Sequence, residues 1–118
     1  MTVINLTFSV DEVPAVAHLR WVAGQDLSIA LTVTNTDGTV YDLSNCTAVC
    51  GLENPDNPAD TYALTTSIAT STGIITCSLT DTQTAAVGVV KRLWHITITG
   101  AVNRELVRGV AVAEGRWG

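Results

Sequence analysis

Alternation of apolar and polar residues at every second position is the dominant pattern along this chain, and helical periodicity is nearly absent. The alternation is clearest over residues 27–34, where four aliphatic side chains alternate with small or hydroxyl-bearing ones. A period of two is typical of a strand with one buried face. Seven or eight short strands are predicted, in segments 3–10, 27–34, 45–52, 62–70, 74–79, 90–99 and 105–113, with shorter alternating segments at 17–22 and 40–43.

Turn-forming residues separate these segments. The pair Asp37-Gly38 predicts a hairpin turn, because it readily adopts the positive φ that tight hairpins need. Residues 53–60 contain two prolines, which remove backbone donors, and this segment is predicted to be the longest loop. Thr80 and Gln83 match a capping box, which predicts one or two helical turns over residues 81–87.

Together these elements predict an all-β fold. Many short strands with a turn every 8–12 residues or so, and one short crossover helix near 81–87, are typical of an immunoglobulin-like β-sandwich. A barrel of the same strands is the alternative. The chain has 118 residues, which suits a single domain over 1–118. Within it, residues 1–10 are a candidate docking strand and residues 114–118 form a C-terminal tail.

Composition limits the classes of partner. Hydrophobic residues make up 47% of the chain and charged residues 14%, which is not the composition of a disordered protein. The net charge is −5, so we expect no nucleic acid partner. Apolar runs are far shorter than the ~20 residues of a membrane span, so we expect no membrane partner. The first ten residues lack the basic and apolar regions of a secretory signal, which predicts synthesis in the cytoplasm.

Charge is unevenly distributed along the chain. Residues 1–87 contain nine acidic residues and one basic residue, whereas residues 88–118 contain five basic and two acidic ones. The C-terminal part therefore forms a mildly basic edge that could bias docking. Lysine occurs once, at Lys91, and arginine five times. Interfaces are depleted in lysine and tolerate arginine, so this usage favours a protein that works in an assembly.

The three cysteines, Cys46, Cys50 and Cys77, do not form the even set of a disulfide framework. Cys46 and Cys50 lie four residues apart in one predicted strand, which separates their Cα atoms by ~13 Å. This distance excludes a disulfide between them and a shared tetrahedral zinc. A bridge from Cys77 to either of the others stays open, and buried free thiols are the simpler interpretation.

Catalytic and metal-binding patterns are sparse. His18 and His95 are the only histidines, and the nucleophile motif Gly-x-Ser-x-Gly is absent, so we expect no enzyme and no catalytic residue. We also expect no cofactor. The three cysteines with His95 are a poor zinc set for the geometric reason above. Oxygen atoms from Glu53, Asp56, Asn57 and Asp60 could coordinate calcium from one loop, although their spacing matches no EF-hand.

Three stretches carry a resemblance to a known family. Residues 24–26 and 37–44, which read Gly-Gln-Asp and Asp-Gly-Thr-Val-Tyr-Asp-Leu-Ser, resemble the opening of small immunoglobulin-like modules in virion proteins of tailed phages. These modules include the N-terminal domain of baseplate upper proteins. Residues 73–84 are similar to the stretch that precedes a short helix in those modules, and residues 94–112 resemble their final two strands. The likeness covers about residues 24–113.

The resemblance implies a non-enzymatic structural protein of a tailed-phage virion. Such a protein, made in the host bacterial cytoplasm, would dock in several copies on a capsid or tail protein, either as a capsid decoration or at the baseplate. The candidate interface residues are Trp117, Arg116, Trp21 and Arg108, since tryptophan and arginine dominate interface hot spots. The alternative function is a carbohydrate- or calcium-binding β-sandwich module.

Overall fold

The fold is known from a computed structural model, which describes residues 2–12, 15–54, 56–88, 91–100 and 103–115. Ten strands, one short α-helix and one 3-10 turn (Val10–Glu12) make up the described chain. The elements are β1 (Thr2–Ser9), β2 (Ala15–Val16), β3 (Leu19–Val22), β4 (Leu27–Thr34), β5 (Cys46–Asn54), β6 (Asn57–Ala63), β7 (Thr65–Ala69), β8 (Ile74–Leu79), α1 (Asp81–Val87), β9 (Lys91–Gly100) and β10 (Arg104–Glu114).

The strands form two sheets. The first sheet has the order β1-β4-β8-β7, in which β1 runs parallel to β4 and the other neighbours are antiparallel. The second sheet has the order β2-β10-β9-β5-β6, and β3 also pairs with β10. Both β2 and β3 run parallel to β10 along the same edge. The predicted β-sandwich with one short helix is confirmed, and the chain does not close into the alternative barrel.

The core lies between the two sheets, because alternation directs every second side chain of each strand inward. In β4 the four aliphatic residues at alternate positions are at most 1% exposed. In β9 the inward positions include Trp94, Ile96 and Ile98, which are also nearly inaccessible. Burying a side chain of this size stabilises the fold by about 1.5–3 kcal/mol relative to leaving it exposed.

The helix begins as its sequence predicts. Thr80 accepts a hydrogen bond from the backbone N–H of Gln83 at 3.2 Å, and the Gln83 side chain accepts one from Thr80 N–H at 2.8 Å. This reciprocal pair satisfies two donors that the first helical turn would otherwise leave free. The helix ends at Gly88, whose φ of 79° few other residues adopt without strain.

Two turns rely on aspartate side chains that accept hydrogen bonds from nearby residues. The carboxylate of Asp37 accepts bonds from the hydroxyl and the backbone N–H of Thr39, and Asp42 does the same with Ser44. Hydrogen bonds from the Thr39 hydroxyl and, at the second turn, the Ser44 hydroxyl lower the pKa of these two carboxyl groups. These acids therefore serve local backbone structure.

Two of the structures predicted from the sequence, the strand over 40–43 and the loop over 53–60, are wrong. Residues 40–43 form no strand, and only an isolated bridge joins Val40 to Thr34. The segment 53–60 is not an open loop, because β5 and β6 form a hairpin that turns between Asn54 and Asn57. Pro58 fits there since β6 is an edge strand, where one lost donor does not interrupt the sheet.

The predicted strand 62–70 is two strands in different sheets. Its first part belongs to β6 in the second sheet and its last part to β7 in the first sheet. The chain passes from one sheet to the other at Leu64, which is buried and donates its backbone N–H to the Cys50 carbonyl at 2.9 Å. This crossing, together with the separate short strands β2 and β3, raises the count from seven or eight strands to ten.

Candidate functional site

The solvent-facing side of the second sheet, which we name the outer face, combines a cleft with charged and exposed aliphatic side chains. Its central part is built by β5, β9 and β10, whose registers place Glu53, Leu93 and Val110 side by side. Two residues further along β9, and on the same face, His95 lies beside Arg108. Because side chains alternate across a strand, the residues that flank the buried positions of β9 all point to this face.

A cleft of about 580 Å³ lies on the outer face. Two glycines lie beside it, and they belong to neighbouring rows that face opposite sides of the sheet. Gly51 pairs with His95, and a Cβ built on Gly51 would lie 3.0 Å from the imidazole Cε1, so the ring lies directly over the glycine. Gly109 on β10 lines the cleft with its backbone, whereas its side-chain position faces the core beside Trp94.

Gly109 allows the chain between β2 and β3 to pack closely against the edge of β10. The Ala17 backbone N–H donates to the Arg108 carbonyl at 2.9 Å, and the indole N–H of Trp94 donates to the Ala17 carbonyl at 2.8 Å. Beside it, the backbone N–H of Val110 donates to Nδ1 of His18 at 3.1 Å. These bonds hold the wall of the cleft at a fixed distance from the sheet.

Charged groups of both signs border the cleft. His95 Nδ1 lies 3.7 Å from a carboxylate oxygen of Glu53, and Arg108 Nε lies 3.1 Å from one of Glu105. The side chains of Arg108 and Glu105 are 58% and 38% exposed, so solvent screens this pair and it adds little to stability. Such groups are available to a partner, where they contribute more to orientation and association rate than to affinity.

Exposed aliphatic side chains lie beside these charges. Val16, Val49 and Leu93 are 67%, 50% and 45% exposed, although residues of this type are usually buried. All three belong to strands of the second sheet. An apolar group beside a polar rim is the composition expected of a surface that binds another protein.

Of the predicted interface residues, the structure brings one to this face. Arg108 lines the cleft. Trp21 is wrong as an interface residue, because its side chain is 2% exposed and lies in the core between the sheets. Alternation explains this, since Trp21 shares the inward side of β3 with Leu19 while Arg20 points outward. Trp117 and Arg116 lie outside the described residues. The candidate docking strand is β1, which pairs with β4 of its own chain.

The residues missed by sequence reasoning are His18, Glu53, Leu93, His95 and Val16. Leu93 and His95 had a local signal, because they alternate with the large apolar residues of β9 and therefore face outward. The others had none, since their proximity depends on contacts between residues 40 or more positions apart.

The described cysteines divide into a buried pair and a half-buried single residue. All three thiols are free. Cys50 and Cys77 come from opposite sheets, and their thiols are neighbours within the core. This contact and burial raise the pKa of the Cys50 thiol. The disulfide from Cys77 that the sequence left open is therefore not formed in this structure, and Cys50 is its neighbour in the core.

The proposed metal ligands are not grouped in the described part of the chain. No cluster of three or more histidine, cysteine or acidic residues with metal-binding geometry occurs among the described residues. Of the four calcium candidates, Asn57 begins strand β6, and Glu53 lies within β5 beside His95. The Asp60 side chain lies outside what the structure describes.

Thiol reactivity gives a direct test of this arrangement. We expect an uncharged maleimide to modify Cys46 in the folded protein and to modify Cys50 and Cys77 only after unfolding, because the reactive species is an accessible thiolate. Intact-mass measurement should show one adduct under native conditions and three in denaturant. Since the pKa of Cys50 is raised, increasing the pH moderately should not add a second native adduct. Modification of Cys50 or Cys77 in the native state would contradict the buried pair.

Comparisons with known proteins complete the description. No family model matches the chain, and no curated protein sequence matches it at a significant level. Within the described residues, no helix has the length and apolar character that a membrane-spanning helix requires.

Proposed function

We propose that this protein is a non-enzymatic structural protein of a tailed-phage virion, an accessory subunit that docks through protein–protein contacts on the capsid or on the tail and baseplate. The observation that carries the docking role is the outer face, where exposed Leu93 and Val16 lie beside Arg108, Glu105 and a cleft. The virion assignment rests on the resemblance of residues 24–113 to phage immunoglobulin-like modules.

The chemistry of the outer face favours a protein partner. Exposed aliphatic side chains gain about 25 cal/mol for each Å² of apolar surface that a partner removes from water. Arg108 offers a planar guanidinium that can form two parallel hydrogen bonds to a partner carboxylate. Glu105 and Glu53 supply acceptors on the same face. A partner with a small apolar projection, flanked by an acidic and a basic group, would complement this surface.

The motifs that carry the resemblance lie at turns, in strands and at the start of the helix in this fold. Asp37-Gly38 lies in the turn after β4, where Gly38 has a φ of 87°. The stretch 73–84 contains β8 and the capped start of α1, and residues 94–112 fall in the hairpin of β9 and β10. The family motifs are therefore turn and strand residues of this sandwich, which supports the proposal through architecture.

A carbohydrate-binding platform has less support in the described residues. Trp21 and Trp94 are buried. The ring of Tyr62 is covered by the Arg92 guanidinium, whose central carbon lies 5.0 Å from the ring centroid. A platform for sugar rings needs exposed aromatic faces, so the protein-docking role is the better use of this surface.

Affinity capture with matched variants tests the docking role. We expect tagged wild-type protein to capture a capsid or tail protein in fixed ratio from a lysate of its source culture. Leu93→Asp should reduce the captured amount at least about tenfold, the loss typical of an interface residue worth ~1.4 kcal/mol or more.

Val40→Asp is the matched control, since Val40 is 47% exposed and lies away from the outer face. Both variants should keep the wild-type unfolding temperature. Equal capture by the two variants would show that the outer face is not the docking surface. Capture of no virion protein by the wild type would count against the virion role.

A further inference from the structure

Strand β1 forms one edge of the first sheet, and it pairs with β4 without interruption from Thr2 to Ser9. The backbone N–H of Thr2 donates to the Asp26 carbonyl at 2.8 Å. In a parallel ladder, a residue directs its N–H and its C=O to the same neighbour, and the next residue directs both the other way. The even-numbered residues of β1 therefore bond to β4, and Val3, Asn5 and Thr7 direct their backbone groups away from it.

These outward groups have no hydrogen-bond partner within the part of the chain that the structure describes. The side chains of Val3, Asn5 and Thr7 are exposed as well. The edge thus presents three N–H and three C=O groups in a regular row about 13 Å long. A row of this kind is a template for one more strand.

β1 also lacks the features that protect other edges of this molecule. Its eight residues include no charge and no proline. By contrast, β6 contains Pro58 and an aspartate, and β7 has only five residues. The remaining edge is divided between the short strands β2 and β3, and the latter has an Arg20–Glu114 ion pair. Charge, proline and short length are the usual means by which proteins prevent edge pairing.

The inward side of β1 is incompletely covered. Ile4, Leu6 and Phe8 pack against the core but remain partly exposed, whereas Ile29 and Leu31 of the adjacent β4 are fully buried. The difference arises because β1 has a neighbouring strand on one side only. A further strand with apolar residues at the same level would cover this row.

We propose that β1 pairs with β1 of a second copy of this chain, antiparallel and about a two-fold axis through Asn5. In this register Asn5 lies opposite its counterpart, and Val3 lies opposite Thr7 of the second copy. The three pairs form six backbone hydrogen bonds, all from the groups left free in the single chain. Ile4 lies beside Leu6 of the second copy, so the two incompletely covered rows cover each other.

The second copy is favoured over a different protein because β1 is complementary to itself. The free groups belong to residues 3, 5 and 7, which map onto one another when the strand is turned about residue 5. No charged residue is brought against a like charge. Such an interface is isologous and closes as a dimer with a continuous eight-stranded sheet. This inference rests on the proposed virion role, in which the resemblance implies several copies, and it names the contact between them.

Sedimentation velocity tests the pairing. We expect the wild type to sediment as a dimer and Asn5→Lys as a monomer, because the two lysines would lie directly opposite each other. The Asn5 side chain is exposed and its N–H does not bond to β4, so the variant should unfold at the wild-type temperature. An equimolar mixture of Asn5→Lys and Asn5→Asp should recover the dimer, since opposite charges then meet across the axis.

Cysteine cross-linking tests the register in a Cys46→Ser background. Residues opposite each other in a hydrogen-bonded antiparallel pair have Cα atoms about 5.5 Å apart, a distance that suits a disulfide. Asn5→Cys should therefore cross-link when oxidised glutathione accepts the two electrons and yields two molecules of reduced glutathione. Val3→Cys should not cross-link, because its counterpart lies about 13 Å away along the strands.

A monomeric wild type, or a dimer that Asn5→Lys leaves intact, would overturn this inference. Equal cross-linking at positions 3 and 5 would overturn the register. Docking through the outer face is measured separately with Leu93→Asp, so either proposal can fail while the other is supported.

Discussion

Replacing Gly109 by alanine is expected to lower the free energy of unfolding by about 3 kcal/mol or more. A Cβ at this position would overlap the carbonyl oxygen of Ala17 and lie 2.7 Å from its carbonyl carbon. Ala17 cannot move away cheaply, because it is held by hydrogen bonds to the Arg108 carbonyl and from the Trp94 indole. Displacing it breaks both, and each lost bond in a partly buried position costs about 1–3 kcal/mol.

Chemical denaturation monitored by tryptophan fluorescence measures this loss, and Gly51→Ala is the matched control. Gly51 lies in the same sheet, but its new Cβ would meet the tip of His95 at 3.0 Å, which is a side chain that can rotate toward solvent. The control should lose less than about 1 kcal/mol. Similar losses for the two variants would show that the packing of Ala17 against Gly109 is not a tight contact.

Replacing Thr84 by valine is expected to cost about 2 kcal/mol. Thr84 is fully buried on α1, and its hydroxyl donates to the Gln25 carbonyl at 2.7 Å and accepts from the Gly24 N–H at 3.1 Å. These bonds connect the helix to the turn between β3 and β4. Valine keeps the shape of the side chain but leaves both backbone groups without that partner, which is the costly way to remove a hydrogen bond.

Thr82→Val is the control for this prediction, because Thr82 lies on the exposed side of the same helix turn. We expect its effect to stay within about 0.5 kcal/mol. Both variants carry the same loss of a hydroxyl group in the same helix, so the difference between their unfolding midpoints isolates the buried contact. A difference near zero would mean that α1 is not held to the β3–β4 turn by Thr84.

Local patterns in the sequence predict several elements accurately. The alternation over 27–34 corresponds to β4, and the capping box at Thr80 places the start of α1 correctly. Both signals are complete within a few residues, so they do not depend on the rest of the fold. The inward position of Trp21 follows in the same way from its alternation with Arg20, although the abundance of tryptophan at interfaces favours the opposite prediction.

Features that depend on distant parts of the chain are the ones that sequence reasoning missed. The change of sheet at Leu64 cannot be recognised from the alternation over residues 62–70, because the segments on both sides of Leu64 are strands. The hairpin of β5 and β6 was missed because prolines usually indicate a loop, whereas an edge strand such as β6 tolerates Pro58. The outer face was not predicted either, because Glu53, Leu93 and Arg108 become neighbours only through the registers of three strands.

The central claim is that this protein is a structural component of a tailed-phage particle, and quantitative mass spectrometry of purified particles tests it most directly. Phage particles from the source culture would be banded by density and washed before the amount of this protein is measured against the major capsid and tail proteins. We expect it to remain with the particles in several copies at a constant ratio. Its recovery only in the particle-free fraction would contradict the claim.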